Sequence, residues 1–377
     1  MKINRKANDW KFGLLFCLAF ASCRESKVFT PGALWLDDKG VHINAHGGGI
    51  LYRDGVYYWY GEHKIEGEAG NVAHVGIRCY SSRDLHRWKD EGIALHVAPE
   101  GSGSEIEKGC IIERPKVIYN ERTGKYVLWF HYEPKGAGYS GAGSGVAASD
   151  SPTGEFTFLR TVRPNAGQWP TNYPDALKTG TIPSAGKNYS GGYLPEHPDS
   201  LKLVARDFEG GQMARDMTLF VDDDGKAYHI HASEENSTLH ISLLSDDYLS
   251  HAGTYIRLFV NRFMEAPAMF KKDGMYYLVM SGCTGWEPNA GRSAVAPSVW
   301  GPWTELGNPF VGGDSALSFH SQSTYVLPLQ NRKTEFIYMG DRWTPKNAID
   351  GRYVWLPLRL ENDRVVIEWK DEWSLGD

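Results

Sequence analysis

Five polar residues stand at the head of one repeated phrase: His46, Glu113, Asp216, Glu265 and Gln322. Each is followed by small or apolar residues, a polar turn and an aromatic-rich run. The copies read HGGGILYRDGVYYWYG, ERPKVIYNERTGKYVLWF, DMTLFVDDDGKAYHIH, EAPAMFKKDGMYYLVM and QSTYVLPLQNRKTEFIYM. If the heads converge, three carboxylates, an amide and an imidazole share one centre. Crowding several carboxylates raises the pKa of one of them, which then keeps its proton near neutral pH. A carboxylic acid that donates a proton, beside a group that activates water, is the equipment for cleaving a glycosidic bond. A single acidic residue at a strand start reads as a turn or cap; repeat-equivalent polar heads argue for a shared site.

The elements that must position these heads follow from the turns. Asp54, Asp224 and Asp273 each lie eight residues after their head and precede a glycine. Strand–turn–strand repeats of this length indicate radial β-blades, and five copies predict an all-β, five-bladed propeller with every head beside the axis. A second strand pair follows each copy, as in VGIRCYSSRDLHRWKDEG and GRSAVAPSVWGPWTELG. Either residues 28–37 or residues 365–373 could supply a strand that closes the ring. The triple Asp222-Asp223-Asp224 before Gly225 reads as a hairpin turn, since it lacks the alternating ligand spacing of a calcium loop. The longest interval between heads, Glu113 to Asp216, contains residues 164–210, rich in Pro, Gly and Asn with Trp169, Tyr173, Tyr189 and Tyr193. Those aromatics predict an ordered insertion, expected to form a rim over the axial pocket.

Composition narrows the partners. A net charge of −6 with no basic run excludes nucleic acid. Lys2, Arg5, Lys6 and Lys11 precede an apolar run from Phe12 to Ala21, too short to span a bilayer comfortably. Ala21-Ser22-Cys23 after Leu18-Ala19-Phe20 is similar to a bacterial lipobox. It implies a signal peptide over 1–22 and a diacylated Cys23 on the outer membrane, at its periplasmic face or the cell surface; an ordinary secretory signal is the other reading. The propeller then occupies 23–377. Beyond the leader, Cys79, Cys110 and Cys283 allow at most one disulfide and contain no CxxC spacing.

The phrases AHGGGIL…YYWYGE, IERPKVIYN…KYVLWFH, GVAASDSPTGEF, RDMTLFVDDDG, EAPAMF…YYL, TGW and SQST cover most of residues 34–345. In that order they resemble glycoside hydrolase family 43, and within it the exo-β-1,3-galactanase subfamily. The resemblance implies that Glu265 is the general acid and that Asp216 raises its pKa and orients it. Most of the family places an aspartate base in blade one, where this chain has His46. The subfamily shares that loss and gives the base role to an amide or glutamate in blade five, which falls on Gln322. A normal amide is too weakly basic to take a proton from water. Gln322 therefore acts as an imidic acid, or positions the water while Glu113 or another group takes the proton. Either route implies inversion.

The same resemblance makes Glu113, Glu62 and Thr284 sugar contacts and Tyr139 a pocket tyrosine, and the repeat position of His46 makes it a further substrate-binding candidate. Trp286 and Trp343 follow strand ends, where they stack on a pyranose or pack between blades. The implied activity is release of galactose from β-1,3-galactan, the backbone of type II arabinogalactan, without cofactor or metal. The rivals are another family 43 exo-activity, on arabinofuranosyl, xylosyl or galactofuranosyl ends, and a non-catalytic sugar-binding lipoprotein. The insertion at 164–210 departs from the subfamily pattern and bears on the substrate.

Overall fold

The computed structural model describes residues 1, 27–72, 75–183, 187, 189, 193–329 and 336–376. The leader and Cys23 lie outside the described residues. Among the described residues no helix is long and apolar enough to cross a membrane.

Each repeat with its outer pair forms one antiparallel sheet. Blade one contains β1 (His46–Arg53), β2 (Val56–Glu62), β3 (Gly76–Ser82) and β4 (Lys89–His96). Blade two contains β5 (Ile111–Asn120), β6 (Lys125–Glu133), β7 (Gly143–Ser149) and β8 (Thr157–Val162). Blade three contains β9 (Met217–Val221), β10 (Ala227–Ser233), β11 (Thr238–Leu244) and β12 (His251–Leu258). Blade four contains β13 (Met264–Lys272), β14 (Met275–Gly282), β15 (Arg292–Ala296) and β16 (Thr304–Gly307). Blade five contains β17 (Phe310–Val311), β18 (Gln322–Pro328), β19 (Phe336–Arg342), β20 (Arg352–Glu361) and β21 (Arg364–Glu368), with β17 pairing parallel to β21 at the outer edge. The inner strands β1, β5, β9, β13 and β18 contact one another around the axis. The fold is the expected five-bladed propeller.

The inner hairpins follow the turn chemistry of the sequence. Asp54-Gly55 and Asp273-Gly274 both take positive φ at the two central positions, as a tight two-residue hairpin requires. Asp222 to Lys226 forms the corresponding turn of blade three, where Asp222 and Asp223 pair with Lys271 of blade four. It is a hairpin, as read from its spacing.

Every blade is built from a continuous stretch of chain, and among the described residues no strand is exchanged between the first blade and the last. Residues 365–368 supply β21 of blade five, while residues 28–37 form only isolated bridges. One of these bridges, Phe29 to Trp373, joins the two ends of the ring. The seam beneath it is aromatic: Trp59, Trp88, Trp355, Phe29 and Trp373 are buried in one cluster spanning blades one and five. Phe29 stacks on Trp373 at 4.4 Å and 19°. Stacked and edge-on rings bury large areas at low entropy cost, so they replace the missing strand.

The described part of the 164–210 segment follows the outer edge of blade three. Thr171 N donates to Tyr255 O (2.9 Å), and Asn172 bonds both backbone groups of Arg257 on β12. Trp169 stacks between Phe208 and Tyr173. The segment ends in a short helix α1 (Leu203–Arg206), whose Arg206 turns inward to the β10–β11 turn. Cys79, Cys110 and Cys283 are all free thiols.

Trp373→Ala removes half of the stack at the seam and should cost about 3–5 kcal/mol, the usual range for truncating a buried Trp. Urea denaturation of the variant should show a lower midpoint with the strand signal retained below it.

Candidate active site

A backbone device places the heads. In blades one, two and four the residue after the head adopts a left-handed conformation: Gly47 (φ 61), Arg114 (φ 56) and Ala266 (φ 52). The pairing register shifts there, between His46 and Gly49, Glu113 and Lys116, and Glu265 and Ala268. Such bulges re-aim a side chain and free an amide from the ladder. Each freed amide donates to a carboxylate of the preceding blade. Gly47 N reaches Asp341 Oδ2 at 2.5 Å, Arg114 N reaches Glu62 Oε1 at 2.9 Å, and Ala266 N reaches Asp216 Oδ2 at 3.1 Å. A Cβ on Gly47 would lie 2.0 Å from Glu62 Oε1, so the position needs glycine for space as well as for φ.

The Arg114 guanidinium occupies the centre. It pairs with Asp216 Oδ2 (2.9 Å), donates to Ser323 O (3.1 Å) and donates to Gln322 Oε1. Because guanidinium only donates, it fixes the orientation of the Gln322 amide with oxygen toward Arg114 and Nε2 toward Ser281 Oγ, 2.9 Å away.

Glu265 is half-buried and receives Asn236 Nδ2 and Cys283 Sγ on Oε1, each at 2.9 Å. Burial, then the charge of Asp216, push its pKa up to about 7, against the thiol hydrogen bond and Arg114. Asp341 is likewise pushed up to about 7 by burial. Glu113 behaves oppositely. Burial would raise it, but the His131 hydrogen bond and charge, with Lys64 and the Tyr139 hydroxyl (2.8 Å), hold it well below the usual range. His131 sits between Glu113 (3.3 Å) and Glu133 (2.9 Å), which hold it up to about 9 despite burial. Lys116, buried between blades one and two, donates to Gly47 O and is depressed to about 7, mainly by burial.

The structure thus brings Glu62, Glu113, Asp216, Glu265 and Gln322 together. Tyr139 caps Glu113 from the β6–β7 loop. Glu62 is buried and pairs with Lys64 at 2.6 Å. Trp286 and Trp343 meet edge-on at 5.4 Å and line a cavity of about 350 Å³ with Gln322, Ser281 and Asp341. Trp286 is 48% exposed there, free to meet a ligand. Thr284 spends its hydroxyl inside its own loop, on Glu287 O and Asn289 Nδ2.

His46 differs from expectation. It is 1% exposed, stacked behind Trp343 at 4.9 Å and packed on Gly351, so it supports the Trp rather than facing a sugar. Burial and neighbouring cations push its pKa down to about 3, so it holds a proton poorly.

Sequence reasoning missed Arg114, Asn236 and the role of Cys283. Arg114 had one signal, its place in the slot occupied by Gly47 and Ala266 in sister blades. Glu234, in the β10–β11 turn, is fully buried and pairs with Arg257 and His240. Among the described residues Glu113, His131 and Asp216 form the one group of three whose metal-type ligand atoms all lie within 4.8 Å of one another. His131 is already committed to two carboxylates and Asp216 to Arg114, so the set is neutralised by its own ion pairs.

The family model described as glycosyl hydrolases family 43 matches residues 196–322. A solved family 43 β-1,3-galactosidase with galactodeoxynojirimycin is 50% identical, with TM-score 0.86 over 92% of this chain and 100% of that one. The exo-β-1,3-galactanase of Clostridium thermocellum is 34% identical, with TM-score 0.73 over 92% of this chain and 66% of that one. That of Phanerochaete chrysosporium with galactose is 29% identical, with TM-score 0.73 over 92% and 68%. The chain therefore spans about two thirds of these longer proteins. No curated protein matches the chain.

The His131 ion pairs should show in stability. Their contribution is complete below the ordinary histidine pKa of about 6.5 and fades as pH rises through about 9. His131→Gln should be markedly less stable than the parent at pH 6 and close most of that gap by pH 10, in urea titrations across that range.

Proposed function

The chain belongs to glycosyl hydrolase family 43, and from that premise we propose that it is an exo-acting, inverting glycoside hydrolase. Its substrate is β-1,3-galactan, the backbone of type II arabinogalactan, from which it releases terminal galactose. The observation that carries this reading is Glu265, held near pH 7 beside the Asp216–Arg114 pair. A carboxyl poised there is protonated often enough to donate and acidic enough to do so readily. Relatives that act on β-1,3-linked galactose support the sugar and the linkage.

In the proposed mechanism Glu265 protonates the leaving oxygen while water attacks the anomeric carbon from the opposite face. Asp216 keeps the Glu265 pKa high and is itself held by Arg114 and the Ala266 amide. Gln322 positions the water. Arg114 on Oε1 opposes the hydroxyl of an imidic-acid tautomer, whereas Nε2 keeps a second hydrogen to offer a water oxygen. The water's proton then passes to a carboxylate. Glu62, Glu113 and Tyr139 form a polar wall suited to sugar hydroxyls, and Trp286 with Trp343 offers an aromatic platform.

We also propose, on sequence grounds, that residues 1–22 are a lipoprotein signal and that lipidated Cys23 anchors the enzyme to an outer membrane. Cys23→Ser should move activity from the membrane fraction to the soluble fraction of cells expressing the full chain.

Glu265→Gln should cut turnover on galactan oligosaccharides by roughly 10²–10⁴-fold, with a smaller loss on aryl galactosides whose leaving group needs no proton. Gln322→Ala should abolish hydrolysis in a folded protein, while His46→Ala should retain it with weaker binding. Galactose release measured by anion-exchange chromatography decides each, and a reversed order for the last two variants would make His46 the group that governs water.

A further inference from the structure

Two donors converge on a single oxygen of Glu265. Asn236 Nδ2 and Cys283 Sγ both approach Oε1 at 2.9 Å, from the β10–β11 turn of blade three and the loop after β14 of blade four. A neutral carboxyl has one oxygen that carries the proton and one that only accepts. An oxygen that already receives an amide N–H and a thiol S–H cannot point its own O–H at them. The proton is left to Oε2. The thiol is suited to this because burial and the adjacent Glu265 push its pKa far above the ordinary range, keeping it a neutral donor.

The Asn236 arm is itself held by an unusual backbone. Glu234, Glu235 and Asn236 are consecutive residues with positive φ (50, 58 and 67). Glu235, 2% exposed, anchors this turn by pairing with Arg206 of the 164–210 insertion (2.7 Å) and with Arg215 (3.3 Å). Arg206 also pairs with Asp207 at 2.7 Å. Arg215 donates onward to Tyr139 O at 2.8 Å, so one buried strut touches both the acid side and the Glu113 side of the site.

We propose that Asn236 and Cys283 are positioning residues that clamp Oε1 of Glu265 and confine its proton to Oε2, and that the insertion holds the Asn236 arm through Arg206 and Glu235. This rests on the reading of Glu265 as the acid. The insertion then acts on catalysis from the outer edge of blade three, where its described residues pack. The charged and titratable groups facing Glu265 are Asp216, Cys283, Arg114 and Arg215. Only the thiol among them is altered by the variants below.

The test is the pH dependence of kcat and KM on β-1,3-galactobiose and on an aryl β-galactoside. Asn236→Gly keeps the left-handed backbone and deletes the donor; Cys283→Ala deletes the other, and Cys283→Ser restores one. Loss of a donor to the carboxylate destabilises the charged form, so the basic limb of kcat, where the acid loses its proton, should move to higher pH in N236G and C283A. C283S should return it toward the parent. On galactobiose kcat should fall roughly tenfold, well short of the 10²–10⁴-fold loss of the acid itself, with KM nearly unchanged and a smaller loss on the aryl substrate. Removing Arg206 strands a buried Glu235, so Glu235→Gln is the gentler probe of the strut. It should reproduce the N236G displacement and add nothing to it in the double variant.

An unmoved limb in both N236G and C283A, with E265Q inactive on galactobiose, would overturn the clamp while leaving the acid in place. A downward shift in N236G, as an amide carbonyl accepting the acid's proton would give, overturns it too. Full additivity of E235Q and N236G removes the insertion from the relay. Near-parent activity of E265Q on galactobiose instead rejects the acid reading on which the clamp rests.

Discussion

The constraint on which this site depends is a left-handed residue one step after the head of an inner strand. It breaks the ladder at Gly47, Arg114 and Ala266, and each time the released amide binds a carboxylate of the neighbouring blade. One distortion therefore does two things. It turns a polar side chain to the axis, and it ties adjacent blades through the groups they present there. A non-glycine residue pays about 1–3 kcal/mol to sit in such a sparsely populated region, and charge-assisted hydrogen bonds to Glu62 and Asp216 offset that cost at Arg114 and Ala266. Thr324 Oγ1 on Gly48 O and Ser323 Oγ on Ala266 O continue the stitching from blade five to both of its neighbours.

Inside this frame the charges are sorted by their partners. Five carboxylates, Glu62, Glu113, Asp216, Glu265 and Asp341, face Arg114, Lys64, Lys116 and His131 in a largely buried centre. Glu113 has a cation of its own and stays charged. Glu265 has a carboxylate as its strongest charged neighbour and neutral donors on one oxygen, and retains its proton to near neutrality. The two glutamates are chemically identical, and the blade that carries each decides which one can be an acid. Arg114 makes that division possible, because it binds Asp216 and, among the described residues, leaves Glu265 without a direct cationic partner.

The repeat made the blades, the inner hairpins and the convergence of the heads legible, because period-two apolar patterns and Asp-Gly turns are local signals. Glu265 and Asp216 could be paired through the family resemblance that their phrases carry. Arg114 was not legible, since a lone arginine after a glutamate carries no local mark of its destination; only alignment of the blades exposes its slot. Asn236 and Cys283 reach Glu265 from separate blades, so their role exists only after the ring has formed. His46 misled for the same reason: its repeat position puts it at the axis, but the Trp343 ring that covers it comes from the other end of the chain. Trp169 and Tyr173 of the insertion pack beside β12, and nothing in the spacing of its aromatics told that edge from the pocket rim.

The seam between blades one and five sets an order on assembly. Within a blade, partners are tens of residues apart at most, and each sheet can form by hairpin additions with little loop entropy to overcome. The Phe29–Trp373 bridge, in contrast, joins residues near opposite ends of the described chain. The axial groups lie across that same seam: Gly47 on Asp341 and His46 on Trp343 both link blade one to blade five. The centre is thus a late product of folding, assembled when the seam shuts. A chain that has made all its sheets but left the ring ajar would carry nearly the full secondary structure and no chemistry, so that activity itself reports closure.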